Sequence, residues 1–96
     1  MQDPITLDEP ITRGDQKISA VTLRKPGAGE LRGVSLIDLM QMDVASLIKV
    51  VPRISTPTLT EQEVSRLDPA DLVQLGTEVS GFLLPKRVKS EVSLPE

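Results

Sequence analysis

Two pairs of carboxylates are the first candidates for chemistry, Glu61 with Glu63 and Asp68 with Asp71. Paired acids can hold a divalent cation or divide general acid and base roles between them. Both pairs, however, fall at the starts of expected helices. There a carboxylate accepts from the free N–H groups of the first turn and complements the helix dipole, and capping is the role assigned to them. GTEVSG, residues 76–81, has the glycine spacing of a phosphate-binding loop, but it lacks the Lys-Ser/Thr that completes one and lies inside a helical pattern. Arg13-Gly14-Asp15 spells an adhesion tripeptide and reads as a hairpin turn. The chain has no His, Cys, Tyr, Trp or Asn, which removes the usual nucleophile–base pairs, thiol chemistry and zinc ligation. No catalytic residue, cofactor site or metal site is expected.

The elements around these residues divide into two halves. Residues 5–24 are strand material, with Ile18, Ala20 and Thr22 alternating with Ser19, Val21 and Leu23. Gly14-Asp15 supplies a type II′ turn between strands expected at 5–13 and 16–24, and Pro10 confines the first to an edge or a kink. Ile18, Val21 and Leu23 should all meet the helices. A regular strand cannot put Ile18 on the face of the other two, so a bulge or twist is expected near Ser19-Ala20. KPGAGE, residues 25–30, reads as a flexible loop that separates the halves.

From Ser35 the pattern is helical. Ser35 caps LIDLMQM; Asp43 restarts a helix that Pro52 should end. Leu36, Met40, Val44, Leu47, Ile48 and Val51 recur at three- and four-residue steps, as one bent helix or two short ones would require. Met40 lies on that stripe and reads as core filling; Met42 lies off it. ISTPTLT, 54–60, is a connector, Thr60 to Glu63 is a capping box, and Asp68-Pro69 opens the last helix. Along it Leu72, Leu75, Gly76, Val79, Phe82 and Leu83 form one apolar stripe. A mid-helix glycine costs about 1 kcal/mol against Ala. Gly76 therefore either relieves a conflict within the chain or admits another backbone closely.

Net charge is −3, and residues 61–84 hold five carboxylates against Arg66 alone. That balance argues against nucleic-acid binding by this region. The acidic, Pro-containing start is unlike a signal peptide, and no apolar run approaches membrane-spanning length, so a soluble cytoplasmic protein is expected. Phe82 is the lone aromatic, which leaves an aliphatic core of modest stability.

ITLDEPI, then LRKP-x-x-G-x-LRG at 23–33, PRIS-x-P-x-LT at 52–60 and LDPADLVQLGTEVSGFLLPK resemble the tail assembly chaperones of contractile-tailed temperate phages, the protein E group. The resemblance runs from about residue 5 to residue 88. It implies a chaperone that binds the tape measure protein and keeps it soluble until tail tube protein polymerises and displaces it. It further implies a frameshifted longer form, action in the host bacterial cytoplasm, and absence from the mature virion.

The expected fold is α+β, a small single domain over residues 1–87. A β-hairpin (5–24) precedes a helical unit (35–84) of three to four short helices, and residues 88–96 form a flexible C-terminal tail. Client-binding candidates are the stripe Leu72, Leu75, Gly76, Val79, Phe82 and Leu83, and the second stripe Leu36, Met40, Val44 and Leu47. Expected partners are the tape measure protein, the longer form, a further copy of the chain and the tail tube protein, with no nucleic acid and no membrane. The alternative is a small regulatory or adaptor module, such as a helix-turn-helix repressor built on 61–67 and 69–84. It is disfavoured because its recognition helix would carry Asp68, Asp71 and Glu78 and no base before Lys86.

Overall fold

Strand β1 (Ile5–Arg13) and strand β2 (Gln16–Leu23) pair antiparallel across the two-residue turn Gly14-Asp15, as expected. Gly14 has φ +59°, and Asp15 has no positive φ, the pattern of a type II′ turn. The computed structural model describes residues 4–84; the expected tail at 88–96, and with it the boundary at residue 87, lies outside the described residues.

The expected irregularity exists, but its extra residues belong to β1. Ile11 pairs with Ile18 and Thr6 with Ala20, so Leu7–Pro10 span what Ser19 alone spans in β2. The slip changes the facing parity between the two ends of the hairpin. Ile18, Val21 and Leu23 are all buried, together with Leu7 inside the bulge.

The connection after β2 contains a turn of regular structure. Ala28–Leu31 form a 3₁₀ turn, with the Glu30 carboxylate accepting from the Gly27 amide (2.9 Å) and from the Arg24 guanidinium (2.9 Å). Helix α1 (Leu36–Met40) is capped by Ser35, and helix α2 (Val44–Ile54) by Asp43, so the region forms two helices rather than one. Met42 sits between them with φ +62°, a left-handed conformation uncommon for a residue with a side chain.

Pro52 does not end α2, which continues to Ile54. Proline forfeits one hydrogen bond in the last turn, and burial of Val50, Val51 and Ile54 holds that turn in place. The connector also contributes an unexpected strand. Ser55–Thr56 form β3 and pair with Leu23 and Thr22, giving the antiparallel order β1-β2-β3.

Helix α3 (Glu61–Ser65) starts with the expected capping box. Glu63 N donates to Thr60 Oγ1, and Thr60 N donates to Glu63 Oε1, both at 3.0 Å. Helix α4 (Pro69–Phe82) has Asp68 as its cap and Pro69 at its first position. The core is aliphatic, drawn from β1, β2, α1, α2, α3, α4 and Leu59, with Phe82 at its edge. The molecule is α+β, a hairpin extended to three strands and packed by four helices.

The two sequence motifs at 23–33 and 52–60 meet in space. Besides the β2–β3 pairing, Arg24 N donates to the Ile54 carbonyl at 3.1 Å. The Arg53 guanidinium donates to the carbonyls of Glu30 (2.7 Å) and Arg32 (3.1 Å), and that of Arg24 to the Arg53 carbonyl (3.1 Å). Their wording follows from one joint, in which two arginines satisfy carbonyls that have no ladder partner.

Candidate partner-binding face

The α4 stripe is largely interior. Leu75, Gly76, Val79 and Phe82 are buried, while Leu72 and Leu83 are half-buried. A Cβ added at Gly76 would stand 2.9 Å from Leu47 Cδ1 and 3.0 Å from Met42 Cε. The close approach at Gly76 is therefore made by side chains of α2 and the α1–α2 joint, and needs no second backbone. Gly76 is structural, which decides between its two readings. A Cβ at Gly81 would meet nothing within 4 Å.

The second stripe is split. Leu47 is buried, but Leu36, Met40 and Val44 expose 54%, 50% and 55% of their surface. Two residues outside both stripes join them in exposure, Ile37 at 67% and Val73 at 55%. Between α2 and α4 lies an apolar cleft of about 160 Å³ lined by Met42, Val44, Leu47, Pro69, Leu72 and Val73. That is below the range of small-molecule sites and suits one or two inserted aliphatic side chains. Leu47 and Leu72 thus both line it, while α1, packed against both α2 and α4, exposes Leu36, Ile37 and Met40, with Leu36 lining a separate cleft beside Arg32 and Val34. A single exposed apolar residue is ordinary; here five are exposed, on α1, at the start of α2 and on α4. In the sequence, Ile37 and Val73 were visible only as apolar residues off the buried stripes.

The carboxylates play structural parts. Asp68 caps α4 through the Ala70 amide (3.1 Å). Asp71 does not cap its own helix. It is fully buried, and its two carboxylate oxygens accept from the Asp8 amide (2.7 Å) and the Glu9 amide (3.0 Å). These are the donors that the β1 bulge removes from the ladder, so α4 completes the strand's hydrogen bonding. Glu63 both closes the α3 capping box and pairs with Arg13 of β1 (2.6 Å). The Arg13 guanidinium and the Thr60 amide hold its carboxyl down at about 2, and Arg24 with the Gly27 amide does the same for Glu30. Arg13-Gly14-Asp15 is the hairpin turn and GTEVSG lies within α4. Among the described residues no three His, Cys, Asp or Glu side chains are placed to hold a metal, and no helix is long and apolar enough to cross a membrane.

Comparison with known proteins bears on the family of the chain. Residues 4–84 match the family described as phage tail assembly chaperone proteins, E, or 41 or 14. Tail assembly protein E of Escherichia phage P2 is 53% identical over 88 residues, 92% of this chain and 97% of the relative. Tail assembly protein E' of the same phage is 54% identical over 83 residues, 86% of this chain; the match spans 58% of that longer protein. No solved structure matches. The chain belongs to the phage tail assembly chaperone family.

Proposed function

We propose that this tail assembly chaperone works without catalysis, by binding the tape measure protein and keeping it soluble until the tail tube polymerises around it. The observation that carries the reading is the exposure of Leu36, Ile37 and Met40 on α1 and of Val44 and Val73, the last two of which line the α2–α4 cleft. A long helical client exposes apolar stripes before assembly. A chaperone can shield them by accepting a helix in a groove, with anchors at i, i+3, i+4 and i+7. Shallow, rim-exposed contacts favour release when a competing surface forms, as displacement by tube protein requires.

The pairing of E with a longer E' in phage P2 supports a second, longer form for this chain as well, made by frameshifting. Both forms would act in the host bacterial cytoplasm and be left out of the mature virion. The repressor alternative fits the geometry poorly. α4 turns Leu75, Val79 and Phe82 inwards and offers no basic side chain for phosphate.

Co-expression with the tape measure protein of the same phage tests the reading. The wild-type chain should keep that client in the soluble fraction and co-purify with it. Ile37→Ser combined with Val73→Ser should abolish both effects and leave the melting temperature unchanged within a few degrees. A client that stays insoluble with the wild-type chain overturns the proposal.

A further inference from the structure

One row of residues on α4 runs from its C-terminal end to the α2–α4 cleft. Val73, which lines the cleft and is exposed, Thr77, also exposed, and Gly81 recur at four-residue steps and so share a strip of the helix surface. Thr77 directs its hydroxyl to the Val73 carbonyl (2.8 Å), and a Cβ at Gly81 would meet nothing within 4 Å among the described residues. The described fold thus gives no reason for a glycine at 81, although only proline is a weaker helix former. A segment of chain laid back along the row supplies one, because it crosses the helix where no side chain stands beneath it.

Residues 85–96, PKRVKSEVSLPE, continue from that end of α4, and Pro85 bars a further helical turn. Leu84, whose amide still bonds to the Gly81 carbonyl, lies about 16 Å beyond Val73 along the axis, at about 1.5 Å per residue. An extended chain gains about 3.3 Å per residue, so Val88 reaches back about 13 Å and falls short, whereas Val92 reaches about 26 Å with length to spare for the reversal. Val92 and Leu94 share one face of an extended run, with Ser93 on the other. The cleft, at about 160 Å³, suits one or two aliphatic side chains.

We propose that residues 85–96 fold back along the Val73, Thr77 and Gly81 row and seat Val92 and Leu94 in the α2–α4 cleft of their own chain. The segment is then an internal occupant of the cleft, against its expected behaviour as a free tail. A tethered segment has an effective concentration in the millimolar range, so an intrinsic affinity of about 1 mM holds it docked about half the time. The docking stands independently of the client reading. Its consequence rests on that reading: a client that uses the cleft must displace Val92 and Leu94, and its apparent affinity is reduced to the fraction of chains with the cleft open.

The chain has no cysteine, so Ser90→Cys offers a single site for a nitroxide label in the full chain. In amide spectra of the isotope-labelled protein, Val44 and Val73 should lose most of their intensity relative to the same sample with the nitroxide reduced. Adding Val92→Ser and Leu94→Ser should restore most of that intensity. Neither residue belongs to the described core, so the remaining spectrum should stay that of the folded chain.

Undiminished signals at Val44 and Val73 overturn the proposal, and so does a loss that survives Val92→Ser with Leu94→Ser. A loss equally strong when the nitroxide is carried on separate, isotope-free chains makes the tail of a second copy the occupant, and also overturns it. The client is followed separately by co-expression with the chaperone limiting. There the Val92→Ser, Leu94→Ser chain should bring about twofold more tape measure protein into the soluble fraction than the wild type. An unchanged yield beside a clear spectral loss leaves the docking standing and overturns the reading of the cleft as the client site.

Discussion

At the scale of single residues, Asp71 and Gly76 look alike in the sequence, each one more polar or small position on an apolar helix, and both prove to be points of contact between elements. Asp71→Ala would leave the Asp8 and Glu9 amides without their acceptors in a part-buried setting, at a cost of about 1–3 kcal/mol in all. Asp71→Asn keeps one acceptor oxygen and should cost about half as much, which urea denaturation of the two variants would resolve. Gly76→Ala places a methyl against the flexible ends of Leu47 and Met42, and its gain in helix propensity of about 1 kcal/mol roughly offsets the crowding. Gly76→Leu overpacks the same contact and should destabilise the free chain by about 1–3 kcal/mol or more, seen as a lower thermal midpoint. The role of Gly76 was one of two readings the sequence left open, and that of Asp71 was not legible. Helix-start statistics favour capping for an acid at Asp71's position, and only the fold reveals that a strand about two-thirds of the chain away needs an acceptor there.

Elements were legible where local chemistry decides them. Gly14-Asp15, Ser35, Asp43, Thr60 to Glu63 and Asp68-Pro69 each mark a boundary found in the structure, because turn and cap preferences act within four residues. The misses are elements decided by distant partners: β3, the ordered 3₁₀ turn, the last turn of α2 beyond Pro52, and the side of the hairpin that bulges. Arg53 shows the dependence. Its guanidinium binds the Glu30 and Arg32 carbonyls across the chain, so Arg53→Ala should loosen the 3₁₀ segment, with faster amide exchange at Glu30 and Val34 and little change in α4. The ion pairs that join elements add a pH dependence. Glu30 and Glu63 titrate at about 2 when folded, below the ordinary carboxylate range, so the unfolded chain binds protons first as pH falls. The stability they contribute is complete above about pH 4.5 and lost as the pH falls towards 2. Urea midpoints measured across that window should decline, and Glu63→Gln should flatten part of the decline while lowering the midpoint at pH 7.

For the molecule as a whole, the division between buried core and exposed apolar face is the property the sequence expressed least. Both apolar stripes have helical periodicity, and periodicity says that a face is buried without saying in what. The α4 stripe is interior because β1, β2 and α2 close over Leu75, Val79 and Phe82; much of the second stripe stays outside because α1 is a single turn that buries Leu39 and leaves Leu36, Ile37 and Met40 uncovered. A chain with an aliphatic core and one aromatic tolerates little loss within, yet changes on the outer face leave no unpaired group behind. The two classes of substitution should therefore separate cleanly. Leu75→Ala is expected to cost about 2–5 kcal/mol, lowering the thermal midpoint by roughly 10 °C or more, or unfolding the chain. Ile37→Ser and Val73→Ser, singly, should each move it by no more than a few degrees, within the usual range for surface changes of about 0.5 kcal/mol. Client solubilisation measured on the same proteins should rank them in the opposite sense below the Leu75→Ala melting point: the core variant retains activity in proportion to its folded fraction, whereas the folded Ile37→Ser and Val73→Ser chains lose it. If the surface variants instead melted as early as Leu75→Ala, α1 and Val73 would be packed in the free protein, and the exposed face that defines the proposed site would not exist in solution.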